Sequence, residues 1–226
     1  MESSTVAVVL ALTLACTGGM FLVIAKQIQG RSGMATFALG LSLFGLVFAV
    51  PMQVDRSAGV LLGALIDATA VAAVLLLRRG QQRFMHRDEL SWRVLGLVVL
   101  AFAAVAVGAR AVFGDLARPI VLQLTLAALF GWLAATAARD AHRDTPLLRM
   151  PLLLLSVVLA VLALLSLGNT VHDLMAGSVQ AAAVTDPFYD AVLMLAALLL
   201  GPTLLWMHTL QLTRQLSELA TRDPLT

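Results

Sequence analysis

The sequence predicts an all-α membrane protein: a polytopic bundle of seven transmembrane helices followed by a short C-terminal helix. Three observations predict it. Hydrophobic residues make up 60% of the chain and charged residues 12%, with a mean hydropathy of +0.94. A soluble domain is nearer half apolar and a quarter charged. Seven apolar runs fall in or near the range of roughly 17 to 25 residues that a helix needs to cross the hydrocarbon core. None of them alternates with period two over strand-length units, which argues against a β-barrel.

The runs cover residues 5–25, 34–52, 60–77, 94–113, 120–138, 151–167 and 187–210. The first is a retained span rather than a signal peptide, because Glu2 replaces a basic leader and the run is too long for a signal core. Cys16 lies within it and is the single cysteine, so no intrachain disulfide braces the loops. The third span carries small residues at four-residue spacing, Gly59, Gly63, Ala64, Ala68 and Ala72. Such a stripe permits close helix approach, either inside the bundle or on a dimer face. Thr145-Pro146 and Asp186-Pro187 each place a capping side chain before a proline suited to the first helical turn. Gly168-Asn169 is expected to stop the sixth span. Val171, Leu174, Met175 and Val179 then read as a separate short helix in the outer interface. Gly201-Pro202 interrupts the seventh span and predicts a kink.

Orientation follows from the cations. Lys26, Arg31, Arg78, Arg79, Arg83, Arg87, Arg93, Arg139, Arg143, Arg149, Arg214 and Arg222 fall on one side; only Arg56, Arg110 and Arg118 fall on the other. The positive-inside rule puts the first group in the cytoplasm, leaving the N-terminus outside and the C-terminal tail inside. Trp92 and Trp206 then lie at the inner boundary, with Phe188 and Tyr189 at the outer one. The five arginines between Arg78 and Arg93 are read first as a topology determinant, and second as a site for anionic lipid. The expected location is a bacterial cytoplasmic membrane, and the topology explains the basic pI without any nucleic-acid partner.

Asp67 is the one acid deep in a span. A central Asp costs about 2.5 to 3.5 kcal/mol on insertion. The ten Val, Leu and Ile residues of that span, at roughly −0.3 to −0.6 kcal/mol each, offset it. Asp67 should therefore face the bundle interior. Arg110, near the outer end of the neighbouring antiparallel span, is a candidate partner, and Gln123 could join them in a polar cavity open to the outer leaflet. The alternative is a protonated or hydrogen-bonded Asp67, with Arg110 reaching the outer headgroups. His172, Asp173, Asp186 and Asp190 have no established metal-ligand spacing, and His86, His142, His172 and His208 are too dispersed for a bis-histidine haem. No hydrolase, P-loop or zincin motif is present, so the 226 residues offer no catalytic set and no metal site.

The tail differs from everything before it. Leu205, Thr209, Leu212, Leu216 and Leu219 alternate at spacings of four and three, the a/d register of a parallel coiled coil. Barely two heptads cannot dimerise alone. Leu219-Ala220 is followed by Thr221, Arg222, Asp223, Pro224, Leu225 and Thr226. These residues resemble the start of the GGDEF (diguanylate cyclase) domain, which opens with a helix ending in Leu-Ala and then Asp-x-Leu-Thr-Gly-Leu-x-Asn-Arg. Asp223, Leu225 and Thr226 take the first three matching positions, and the resemblance covers about seven residues.

The resemblance implies a division into a sensor domain, residues 1–210, and a signalling helix with the first residues of a GGDEF domain, residues 211–226. It implies GTP and Mg²⁺ as requirements of that domain, and a homodimer, because two GTP-bearing subunits must face each other to make cyclic di-GMP. The expected function is a membrane-embedded sensory module, responding to a small molecule or a membrane state. It would reorient a dimeric helix, with Gly201, Pro202, Leu212, Leu216 and Leu219 in the transmission path. Two alternatives remain. One is another output such as a histidine kinase, which would need a His-Glu dimerisation helix after the tail. The other is a small transporter using Asp67, a class that more often shows internal repeats and paired helix breaks.

Overall fold

In the computed structural model, residues 3–27, 33–49, 60–114, 116–143, 146–176 and 187–221 are described. They form seven helices: α1 (Ser3–Gln27), α2 (Met34–Ala49), α3 (Val60–Phe84), α4 (Trp92–Phe113), α5 (Ala117–Arg143), α6 (Pro146–Ala176) and α7 (Pro187–Thr221). Each falls where an apolar run predicts one, and no strand occurs among the described residues. Five of them, α1, α4, α5, α6 and α7, are long and apolar enough to cross a membrane. α2 has 16 residues, about 24 Å at 1.5 Å per residue, against a hydrocarbon core of about 30 Å. α3 is long enough, but its membrane-length stretch carries Asp67 and runs directly into Arg78 and Arg79.

Several helices overrun the apolar runs that predict them. α4 starts at Trp92 because Ser91 caps it, its hydroxyl accepting from the Val94 amide at 3.2 Å. α5 starts at Ala117, before Ile120, and tolerates Pro119 because the first turn has no intrahelical use for that N–H. α6 and α7 begin at Pro146 and Pro187, the positions that the Thr-Pro and Asp-Pro pairs predict. α3 continues through Phe84, about two turns past its apolar run.

Two expectations fail at the C-terminal end of α6. Gly168-Asn169 does not stop that helix, which continues to Ala176. Gly168 has no left-handed backbone, and the Thr170 hydroxyl donates to the Ser166 carbonyl at 3.0 Å across the glycine. Val171, Leu174 and Met175 are thus the last turns of α6 rather than a separate interfacial helix; Val179 lies outside the described residues. α7 runs from Pro187 to Thr221 with Pro202 inside it.

The helices pack as a ring. α1 lies against α2, α2 against α3, α3 against α5, α5 against α6, α6 against α7, and α7 returns to α1. α4 stands outside this circuit, packed on α3 and α5. Phe21, Leu41, Val74, Leu152, Leu159 and Met207 are fully buried toward the ring interior. Ala68, Val71 and Leu75 of α3 form a second seam with Phe102 and Ala106 of α4. The small-residue stripe therefore serves packing within the bundle at Ala68. Large apolar side chains dominate the outer surface, among them Leu65, Leu97, Leu100, Val112 and Leu164. Such a surface suits lipid as solvent. The chain is a helical membrane protein.

A buried ion pair, an apolar cavity and the output helix

Asp67 is 4% exposed, and the residue that meets it is Arg118. The Arg118 Nε donates to Asp67 Oδ2 at 2.6 Å and its terminal nitrogen to Oδ1 at 3.0 Å, a two-pronged contact. The same terminal nitrogen donates to the Gly63 carbonyl at 3.1 Å. Gly63 and Asp67 are four residues apart and share one face of α3. A Cβ on Gly63 would lie 2.5 Å from the guanidinium, so the missing side chain is the space into which Arg118 fits. Arg110 lines the same narrow cavity, about 10 Å³, with Asp67, Ala106 and Arg118. Asp67 is buried and Arg110 borders it, but the two-pronged contact expected of Arg110 is made by Arg118. Hydropathy alone leaves Arg118 in a loop, because the apolar run starts only at Ile120.

Gln123 does not join this cluster. It lies five residues after Arg118 on α5, about 140° around the helix, and faces the ring interior instead. There it borders a cavity of about 170 Å³ walled by α1, α2, α3, α5, α6 and α7. The wall is leucine and phenylalanine, with Phe44 and Phe130 in tilted contact at 6.2 Å between ring centres. Its polar side chains are Gln123 and Ser166. The Gln123 Oε1 is buried without a hydrogen-bond partner. The polar cavity expected from Asp67, Arg110 and Gln123 is therefore two separate spaces, one small and charged, the other large and apolar.

At the opposite end of α3, a tight connection joins it to α4. Arg79 donates to the Leu90 carbonyl at 2.7 Å and to Glu89 Oε2 at 3.0 Å, and its guanidinium lies 4.1 Å over the Trp92 ring. Gln82 accepts from the Leu90 amide at 2.9 Å, and Arg83 lies 3.4 Å from Glu89 Oε1. Arg87 pairs with the buried Asp140 of α5 at 2.7 Å. Arg78 stacks on Trp132; burial pulls its guanidinium below its ordinary value, with Asp140 acting in the opposite sense. Arginines that read as a topology signal thus also hold α3, α4 and α5 together. Their partners Glu89 and Asp140 carry no pattern that marks them in the sequence.

On α7, Gly201 is buried where α7 crosses α1. A Cβ there would lie 2.7 Å from the Thr17 methyl. Pro202 is exposed, on the side away from that contact. Ala196, Leu200, Leu204 and Met207 are buried, whereas Leu216, about two and a half turns further on, is 66% exposed. Leu212 is half-buried. The Leu219 side chain and Asp223, Leu225 and Thr226 lie outside the described residues. His172 Nδ1 is 3.8 Å from Asp173 Oδ1, and no group of three or more His, Cys, Asp or Glu side chains occurs among the described residues.

No protein-family model matches the chain, and neither a curated protein nor a solved structure matches it.

Proposed function

We propose that the chain is the membrane-embedded sensory module of a diguanylate cyclase. In this reading all seven helices span a bacterial cytoplasmic membrane, with the N-terminus outside and the tail in the cytoplasm. The module works as a homodimer, and its conformation sets the orientation of two GTP-binding catalytic domains that follow Thr226.

The observation that carries the reading is α7. Its 35 residues make a helix of about 52 Å, against a hydrocarbon core of about 30 Å. One continuous helix therefore has its middle buried in the ring and its last turns more exposed. Those turns carry the half-buried Leu212 and the exposed Leu216 of the a/d register and lead in sequence to Asp223, Leu225 and Thr226, which resemble the opening of a GGDEF domain. A rotation or tilt of α7 within the bundle would move whatever is attached to its end. A signal acts on such an element only by binding one bundle conformation better than another. The split of Lys and Arg along the chain supports the orientation.

The test is enzymatic. Membranes containing the full-length gene product should convert GTP to cyclic di-GMP in the presence of Mg²⁺, and residues 1–226 alone should not. ATP-dependent autophosphorylation of the full-length product without cyclic dinucleotide would replace this reading with a kinase output.

A further inference from the structure

The 170 Å³ cavity inside the helical ring is partly open rather than sealed, and it far exceeds the water-sized voids that close packing leaves. An engineered cavity of about 150 Å³ lined by Leu, Ile and Phe takes up benzene. The wall here is of the same kind, with the rings of Phe44, Phe48 and Phe130 among its leucines. Water is a poor filler, because a buried water needs two to four polar partners. Gln123 and Ser166 are the polar side chains in the wall, and the rest of the space offers water nothing.

Gln123 adds chemical selectivity. Its Oε1 is buried and unpartnered, which is unfavourable while it stays so. A hydroxyl both donates and accepts, so it satisfies the amide whichever way the oxygen and nitrogen point. We propose that this cavity is a binding site for a small apolar molecule, of ring or medium-chain size, bearing a single hydroxyl that bonds to Gln123. The occupant touches Leu193, Ala196 and Leu200 of α7, directly above the Gly201 contact with α1. Binding stands without the cyclase reading; only its effect on output rests on that reading.

The probe is a phenol carrying a photoreactive diazirine, applied to residues 1–226 in lipid nanodiscs, with labelled positions mapped by mass spectrometry. Labelling should fall on α2, α5 and α7 at the cavity wall. Phenol should displace the probe about two- to tenfold better than toluene after correction for partitioning, the ratio expected of one neutral hydrogen bond. Gln123→Leu should erase that preference but keep the labelling, and Ala196→Phe, which fills the space, should abolish labelling. Three results would overturn the proposal. Labels confined to outward-facing residues such as Leu100 and Val112 would remove the site. Equal displacement by phenol and toluene in the unsubstituted protein would remove the hydroxyl contact. Labelling that appears only after lipid is stripped would show that a bilayer acyl chain is the resident. These measurements involve no nucleotide, so their outcome is separate from that of the cyclase assay.

Discussion

Replacing Asp67 by Asn, or Arg118 by Gln, should destabilise the bundle, and the two changes together should cost less than their sum. Breaking a buried ion pair costs about 3–5 kcal/mol, because the surviving charge is left without its partner. The figure here is smaller, about 1–3 kcal/mol, since the Arg118 side chain is 37% exposed and can turn toward solvent or headgroups. Asp67, with its side chain 5% exposed, has no such escape. Arg118→Gln should therefore be the more damaging single change. At about 2–4 °C per kcal/mol for a chain of this size, the single variants should lose roughly 2–12 °C in thermal midpoint. Heating the purified chain in detergent and following the monodisperse fraction by size-exclusion chromatography gives the numbers for the cycle. A coupling of at least about 0.5 kcal/mol is expected. Arg110→Gln should couple to Asp67 more weakly than Arg118→Gln, because the two-pronged contact belongs to Arg118. Additive losses from Asp67→Asn and Arg118→Gln would refute the pairing, and stronger coupling to Arg110 would restore the choice made from sequence.

The proposed orientation predicts that periplasm-active phosphatase fusions after Ser57, Asp115 or Gly177 are active and those after Gln81 or Asp144 silent; the reverse pattern would invert the topology, and one discordant loop would remove a span. At the crossing of α1 and α7, Gly201→Ala forces a Cβ against the Thr17 methyl. It should lower stability by about 1–3 kcal/mol, and Thr17→Ala in the same chain should recover part of the loss in the same chromatographic assay. Equal losses with and without Thr17→Ala would mean that the two helices do not meet there.

Hydropathy made the helices legible, because in a chain of this composition each apolar run must become one. What it does not carry is where helices end in polar sequence. α3 outruns its apolar segment because the Arg79 contacts to Glu89, Leu90 and Trp92 fix the turn beyond it. α6 ignores Gly168-Asn169 because a glycine stops a helix only when the backbone turns left-handed there, and here it does not. Asp67 was legible as an inward-facing acid from its insertion cost alone. Its partner was not, because choosing between Arg110 and Arg118 depends on which helix closes on α3. One clue was present: Gly63, a turn away from Asp67, leaves room for a guanidinium. Depth in the span groups Gln123 with Asp67, but depth says nothing of helix face. Five residues from Arg118, it looks into the ring.

In the proposed function, α7 transmits the state of the bundle as a rotation of the tail. Each residue inserted into an α-helix turns the downstream chain by about 100°, whereas seven restore the heptad register. The deciding measurement is cyclic di-GMP formed by membranes of the full-length gene product carrying one, two or seven extra residues between Leu212 and Leu216. Output should be locked high or low by one and by two insertions, and should return toward the parental level with seven. Equal output at every insertion length would rule out transmission by rotation, because a linker indifferent to helical phase carries none from α7.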